Sequence, residues 1–326
     1  MRKKFRRIFL SYRFVLTLIV ISILWSEWLA VKFQALFWEK INGKSDCSSV
    51  LVVADPQLIG YRNEPWWVGP IARWDSDRYL QMGFNRALQH SQPDLIMYLG
   101  DLIDEGLTGS LDEFEMSAKR FHQIFKTTGS EQLLFIPGDN DIGGETEYVR
   151  EDLMQKFKQL FPSYLNLSKI NLHATDLHFM NVFNSELLLE YSPKTVLNQR
   201  IIVSHAPIMK AWNNVLEMVS NMNSTLILSA HDHTAWMYTK ERNGLTWQST
   251  AIRWDHVWSG FIGVDHPLIE IQIPTCSYRM GVANMAYGHL VLCPVDGRTM
   301  QASFTLLPLP RRYSQIMIYI VLLTWV

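Results

Sequence analysis

Five short apolar runs mark the chain, and each gives way to side chains that carry oxygen or nitrogen donors. "SSVLVVADPQ" ends at Asp55 and Gln57, "LIMYLGDLIDEG" reaches Asp101 and Asp104, and "LLFIPGDND" closes on Asp139, Asn140 and Asp141. "RIIVSHAPI" carries His205, and "TLILSAHDHT" carries His231 and His233. Short runs rich in Val, Ile and Leu predict strands buried on both faces. Between them, helical spacing predicts helices over 75–94, stopped near Pro93, and then over 111–128 and 145–160. Strand-forming stretches dominate 234–307, and no repeat or low-complexity linker interrupts the pattern. The alternation predicts one layered α/β domain over 45–310, its strands joined by helices in the first half and by hairpins in the second.

In an open α/β sheet, ligand sites form outside the carboxyl ends of the strands. Side chains at five such ends can therefore converge. Carboxylates gathered there repel one another unless cations sit among them. Asp and His in loops that water can reach are the donor set of a divalent metal site.

Composition adds a compartment. Of 326 residues, 48% are hydrophobic and 19% charged, which excludes a disordered chain, and the net charge of −1 gives no reason to expect a nucleic-acid partner. Six Lys and Arg residues within 1–13 precede an apolar run at 14–33, about the ~20 residues a bilayer requires. Trp25 and Trp28 flank Glu27 within that run, in the manner of an interfacial aromatic belt. A cleaved signal peptide is the alternative. No small-x-small cleavage site follows the run, so an uncleaved anchor is expected, with 1–13 as a cytoplasmic tail and 45–310 luminal. The sequons at Asn166 and Asn223 agree with a luminal domain. Of three cysteines, Cys276 and Cys293 are a candidate pair with Cys47 left over, and a fully reduced set is the alternative. Residues 316–326 form a strongly apolar end, readable as a truncated second span, an interfacial segment or a buried strand.

The order Asp-x-Gln, Gly-Asp-x-x-Asp, Gly-Asp-Asn-Asp, His, then His-x-His resembles the calcineurin-type metallophosphoesterase superfamily over residues 50–235. "VADPQLIG" behind an N-terminal anchor further resembles a branch of that superfamily that includes a factor trimming ethanolamine phosphate from the GPI-anchor glycan. The resemblance implies a four-layer αββα sandwich and a site for two divalent ions bridged by Asp101. Asp55, Gln57 and His233 would complete one ion's ligands, and Asp139, His205 and His231 the other's. It also implies a membrane-held phosphodiesterase of the early secretory pathway (ER, ER–Golgi intermediate, Golgi), with a GPI glycan as substrate and a role in ER-to-Golgi transport of GPI-anchored proteins.

Three positions depart from the family pattern. Gln57 replaces a usual His and Asp139 a usual Asn, which adds a negative charge and harder donors; this favours Mn²⁺ or Mg²⁺, and Mn²⁺ is expected. Asn140 stands where the family places the His thought to steady phosphate and protonate the leaving oxygen. Asn is no general acid, and such a loss typically costs ~10²–10⁴-fold in rate. Asn140 is expected to bond the phosphate, and His90, His173 and His178 are alternative proton sources by residue type alone. Asp104 is expected beside the metals or capping a turn, and Asp141 to orient a loop. Trp66, Trp67, Arg73 and Trp74 could stack on sugar, touch a membrane or pack in the core, and His256 could line the pocket. A luminal phosphomonoesterase, another phosphodiesterase and a metal-bearing cargo scaffold are the competing functions.

Overall fold

The computed structural model describes residues 2–43, 46–163, 175–181, 186–191, 199–210, 219, 224–242, 244, 246–296 and 298–324; for 2–12 and 175–199 it describes backbone alone. Helix α1 (Arg2–Leu24) runs through a π turn (Trp25–Leu29) into α2 (Ala30–Gln34). There follow β1 (Ser48–Val53), α3 (Gly69–Ser91), β2 (Leu95–Leu99), α4 (Leu111–Ile124), β3 (Gln132–Ile136), the single turn α5 (Asp139–Ile142) and α6 (Glu151–Leu160). The second half holds β4 (Thr175–Asn181), β5 (Glu186–Tyr191), β6 (Gln199–Ser204), β7 (Leu226–Ser229), β8 (Trp236–Lys240), β9 (Trp247–Ala251), β10 (Trp258–Gly263), β11 (Leu268–Gln272), β12 (Ala286–Pro294) and β13 (Thr299–Pro308). Helix α7 (Arg312–Leu323) comes last.

Two sheets form, of order β10-β13-β12-β1-β2-β3 and β5-β4-β6-β7-β11-β8-β9. Alternation along β1 decides how they stack, because successive side chains leave a strand on opposite faces. Val50 and Val52 join Met97, Leu134, Val203 and Leu228 in the core between the sheets. Leu51 and Val53 face the other way, against Phe84 of α3, Phe121 of α4 and Phe157 of α6. The outer face of the second sheet carries a smaller cluster that includes Ile202, Ile227, Met209 and Val219. The α/β reading holds, with two mixed sheets face to face and helices over the first.

Three expectations shift. Helix α3 starts at Gly69 rather than 75, with Pro70 in its first turn, where a missing N–H costs nothing. Asp75, which resembles a helix cap in the sequence, instead accepts hydrogen bonds from Tyr278 and Arg312. Helix α6 starts at Glu151 rather than 145. The cysteine pairing changes partner: Cys47 and Cys293 form the disulfide, and Cys276 is free and buried. Register explains this. β1 pairs antiparallel with β12, Ser48 against Leu292, so the next residues outward are Cys47 and Cys293. The apolar C-terminal end is helical over Arg312–Leu323, not a buried strand. The sequons at Asn166 and Asn223, and His173, lie outside the described residues, as does the His178 side chain.

Candidate metal centre

Three of the five strand ends, those of β1, β2 and β7, turn sharply to present their donors. Asp55, Gln57, Asp101, His231 and His233 all have positive φ, between 39° and 71°, and among the described non-glycine residues only Gln92 shares this. Such conformations cost of order 1–3 kcal/mol each and persist where surrounding structure enforces them. Gly100 (φ 92°) precedes Asp101. Gly138 admits the close approach of Asp101: a Cβ there would lie 2.2 Å from Asp101 Oδ1.

The donors meet. His205 Nε2 lies 3.1 Å from Asp139 Oδ1 and 3.4 Å from Asp101 Oδ1, and its Nδ1 lies 3.9 Å from Asp55 Oδ1. His231 Nδ1 is 3.1 Å from Asp139 Oδ1. Gln57 Nε2 lies 2.8 Å from Asp101 Oδ2 and 3.2 Å from His233 Nε2. Asp139, His205 and His231 form one group that could hold a cation, and Asp55, Asp101 and His205 form another. All seven residues singled out as ligands in the sequence thus gather at one place. The amide of Gln57 offers its oxygen from the same position after a half turn about its last bond.

Surrounding groups set the geometry. The Leu99 carbonyl accepts a hydrogen bond from His205 Nδ1 at 2.7 Å, which fixes the tautomer and leaves Nε2 turned to the cluster. Asp141 accepts from the backbone N–H groups of Leu102, Ile103 and Gly138, tying the Asp101 loop to the Asp139 loop. Asn140 donates to Asp101 twice, from its backbone N–H and its side-chain amide.

The charge balance favours cations. Both oxygens of Asp55 are buried without a hydrogen-bond partner. Burial, with Asp101 adding to it against the pull of His205, pushes the Asp55 carboxyl up to about 8. Burial also raises Asp101, with Asp139 adding to it. Burial resists the charge on Asp139, but hydrogen bonds from His205 and His231 win and hold it well below the usual range. Three carboxylates, among them the orphaned Asp55, and three imidazoles suit divalent ions.

Of the remaining candidates, Asp104 is half-buried and pushed up to about 6 by burial and by Glu105. His90 sits at the far end of α3, bonded to the Glu39 carbonyl. His256 is exposed, and its backbone carbonyl accepts from Thr305. Three further acidic residues hold the loops around the cluster or lie beside it. Glu105 is buried and accepts from the N–H groups of Tyr61, Arg62 and Asn63, pinning the loop after Gln57. Glu270, on β11, accepts from Ile208 and Met209 just past His205. Glu145 lies 3.7 Å from His231 Nε2. Their acceptor roles leave no motif, because their partners are backbone amides or lie across a loop.

A sandwich of mixed sheets with this donor set at its strand ends defines a metal-dependent hydrolase scaffold. The model of the calcineurin-like phosphoesterase family matches residues 48–235, more than half the chain, and the chain belongs to that family. It is 30% identical over 174 residues to Metallophosphoesterase 1 homolog of Drosophila melanogaster, covering 52% of this chain and 44% of that one. It is 29% identical over 160 residues to Cell division control protein 1 of Saccharomyces cerevisiae, covering 43% and 32%. To Metallophosphoesterase 1 homolog of Caenorhabditis elegans it is 24% identical over 214 residues, covering 61% and 57%. The chain therefore spans between a third and three fifths of these relatives' lengths.

Proposed function

We propose that the protein is a membrane-held phosphodiesterase that removes ethanolamine phosphate from the glycan of GPI anchors. The observation that carries the hydrolytic part is Asp55: a buried carboxylate whose oxygens have no hydrogen-bond partner, facing Asp101 and His205, is oriented for a cation. Asp55, Gln57, Asp101 and His233 would hold one divalent ion, and Asp101, Asp139, His205 and His231 the second. Two such ions, expected to be Mn²⁺ given the oxygen-rich donors, supply an activated water and neutralise phosphate charge.

The protein's own groups position these ligands. Asn140 holds Asp101 through both its oxygens, so its amide is engaged with a ligand and does not serve as an acid. The leaving oxygen would take its proton from water or from the substrate's own ammonium. The branch resemblance supports the GPI substrate, the relatives' names support phosphoester hydrolysis, and the described chain supports a membrane-held enzyme: 13–37 forms a helix long and apolar enough to cross a bilayer. A Cys47–Cys293 disulfide suits the oxidising lumen of the early secretory route, where removal of the side branch would aid ER-to-Golgi export of GPI-anchored proteins.

The test is turnover by the purified full chain in Mn²⁺, comparing GPI glycans bearing ethanolamine phosphate with p-nitrophenyl phosphate. Metal content by mass spectrometry is measured alongside, with Asp101→Asn as control. Two ions per chain, release of ethanolamine phosphate and loss of both in the variant are expected. Turnover of the monoester alone would move the protein to the phosphomonoesterases, and bound metal with no turnover would leave a scaffold.

A further inference from the structure

The anchor does not leave the domain by a free tether; it runs along α3. Glu27 pairs with Arg78 and Glu39 meets His90, so twelve residues on one segment match twelve on the other, and the two run parallel. Trp38 packs edge-on against His90, and Ala35 and Trp38 are buried in the helix-side core. At the level of Glu27 a layer of ion pairs joins three elements: Arg312 of α7 bonds both Glu27 and Asp75, and Tyr319 donates to Glu27 at 2.7 Å.

Strand direction sets the remaining geometry. Helix α3 connects two parallel strands, so it returns antiparallel to β1. The Ser91 carbonyl accepts from Ser49 Oγ at the amino end of β1, whereas Arg73 bonds the Gly60 carbonyl in the loop beyond its carboxyl end. The first turns of α3 therefore lie at the end of the sheet that carries Asp55 and Gln57. Those same turns meet the apolar body of the anchor: Val68 and Ile71 line one cavity of about 800 Å³ with Ile19 and Ile23. Beside it, Trp66, Trp67, Ile71 and Trp74 are 88%, 65%, 67% and 60% exposed. Large apolar side chains left bare in one patch, continuous with an apolar helix, have water as an unfavourable neighbour. Trp and an amphipathic edge beside a span suit the lipid headgroup boundary.

We propose that the 66–74 face inserts into the leaflet on the domain side of the chain's own membrane, so that the metal-bearing end of the sandwich faces the bilayer. The occupant of the face is lipid, and the Glu27 ion-pair layer sits near the water boundary. This rests on reading the N-terminal apolar helix as an anchor, with the stretch before Glu27 in the bilayer and 27–39 on the domain, but not on any catalytic step. A substrate phosphate attached close to the membrane would then be approached from the correct side.

The test uses the full chain in phosphatidylcholine vesicles with a polarity-sensitive fluorophore on one introduced cysteine. Cys47 and Cys293 are disulfide-bonded and Cys276 is buried, so labelling is selective. Trp67→Cys reports the proposed face, Trp74→Cys repeats it, and Lys126→Cys, exposed before β3, reports the opposite end of the sheet. Lipids brominated near the headgroup are expected to quench labels at 67 and 74 at least about threefold more than at 126, as befits side chains ~5–10 Å into the boundary. Aqueous iodide is expected to reverse that order. Equal quenching at all three sites overturns the proposal. So does a label at 67 shielded from iodide yet untouched by brominated lipid, which would mean that a protein surface or a second copy covers the face. None of these readouts requires turnover, so a failure of the enzymatic reading leaves them interpretable.

Discussion

Asn140 holds both oxygens of Asp101, through its backbone N–H at 3.0 Å and its side-chain amide at 2.7 Å. The amide thus orients the carboxylate that would bridge the two ions. Asn140→Ala keeps the backbone bond and loses the other. Loss of such an orienting partner typically costs about 10–100-fold in metal affinity. Titration calorimetry with Mn²⁺ should show that weakening, while the unfolding midpoint of the metal-free chain changes little. Unaltered affinity would return Asn140 to a role on the substrate.

The proton on Asp55 must leave before a cation binds. With that carboxyl pushed up to about 8, binding at neutral pH should release a proton, and apparent affinity should rise about tenfold per pH unit up to about 8. Calorimetry in two buffers of different ionisation heat measures the proton count directly. Asp55→Asn should abolish that release and much of the binding.

Gly138 has φ −102°, so alanine there meets no backbone penalty. Its Cβ would instead press on Asp101 Oδ1, 2.2 Å away, and on the Asp101 backbone nitrogen, 2.3 Å away. Overpacking of this kind costs roughly 1–3 kcal/mol and displaces the neighbour. Gly138→Ala should fold, with a lowered melting temperature, yet bind fewer than two metals per chain by mass spectrometry.

His289 lies on β12 with its ring buried, Nε2 3.1 Å from Ser49 Oγ and Nδ1 without a partner. Burial, and then His90, push its pKa down from 6.5 to about 4. Between those values the unfolded chain binds more protons than the folded one, so stability is full above about pH 6.5 and falls as pH drops towards 4. At pH 5 the loss should be on the order of 2 kcal/mol. Urea unfolding of the detergent-solubilised chain and of His289→Gln at about pH 7.5 and 5 isolates it as the difference between the two, because the raised carboxyls of Asp55 and Asp104 change stability in the opposite sense over the same range.

The donor cluster was legible in the sequence because each donor follows an apolar strand; the ends of β1, β2 and β3 in one sheet meet those of β6 and β7 in the other at the same edge of the sandwich. Asp141 was legible for the same reason. The helix starts at Gly69 and Glu151 were less so: Asp75 has the residue type of a cap, but tertiary partners claim its carboxylate. The cysteine pairing was hidden, since β1 and β12 are 246 residues apart at the bond and only their register makes Cys47 and Cys293 neighbours. Glu27 resembles a stray charge in an apolar run; its partners Arg78 and Arg312 come from a helix behind the first strand and from the far end of the chain. Glu105 and Glu270 were invisible because their partners are backbone amides.

The side-by-side run of anchor and α3 has a further consequence for reach. In the membrane setting proposed above, a domain clamped along its own span would not swing out on a leash towards an opposing membrane or a distant vesicle. It moves only as the span moves, by sliding and rotating in the plane. Encounters with membrane-held targets would then be a two-dimensional search, governed by how many of them share the same sheet of membrane.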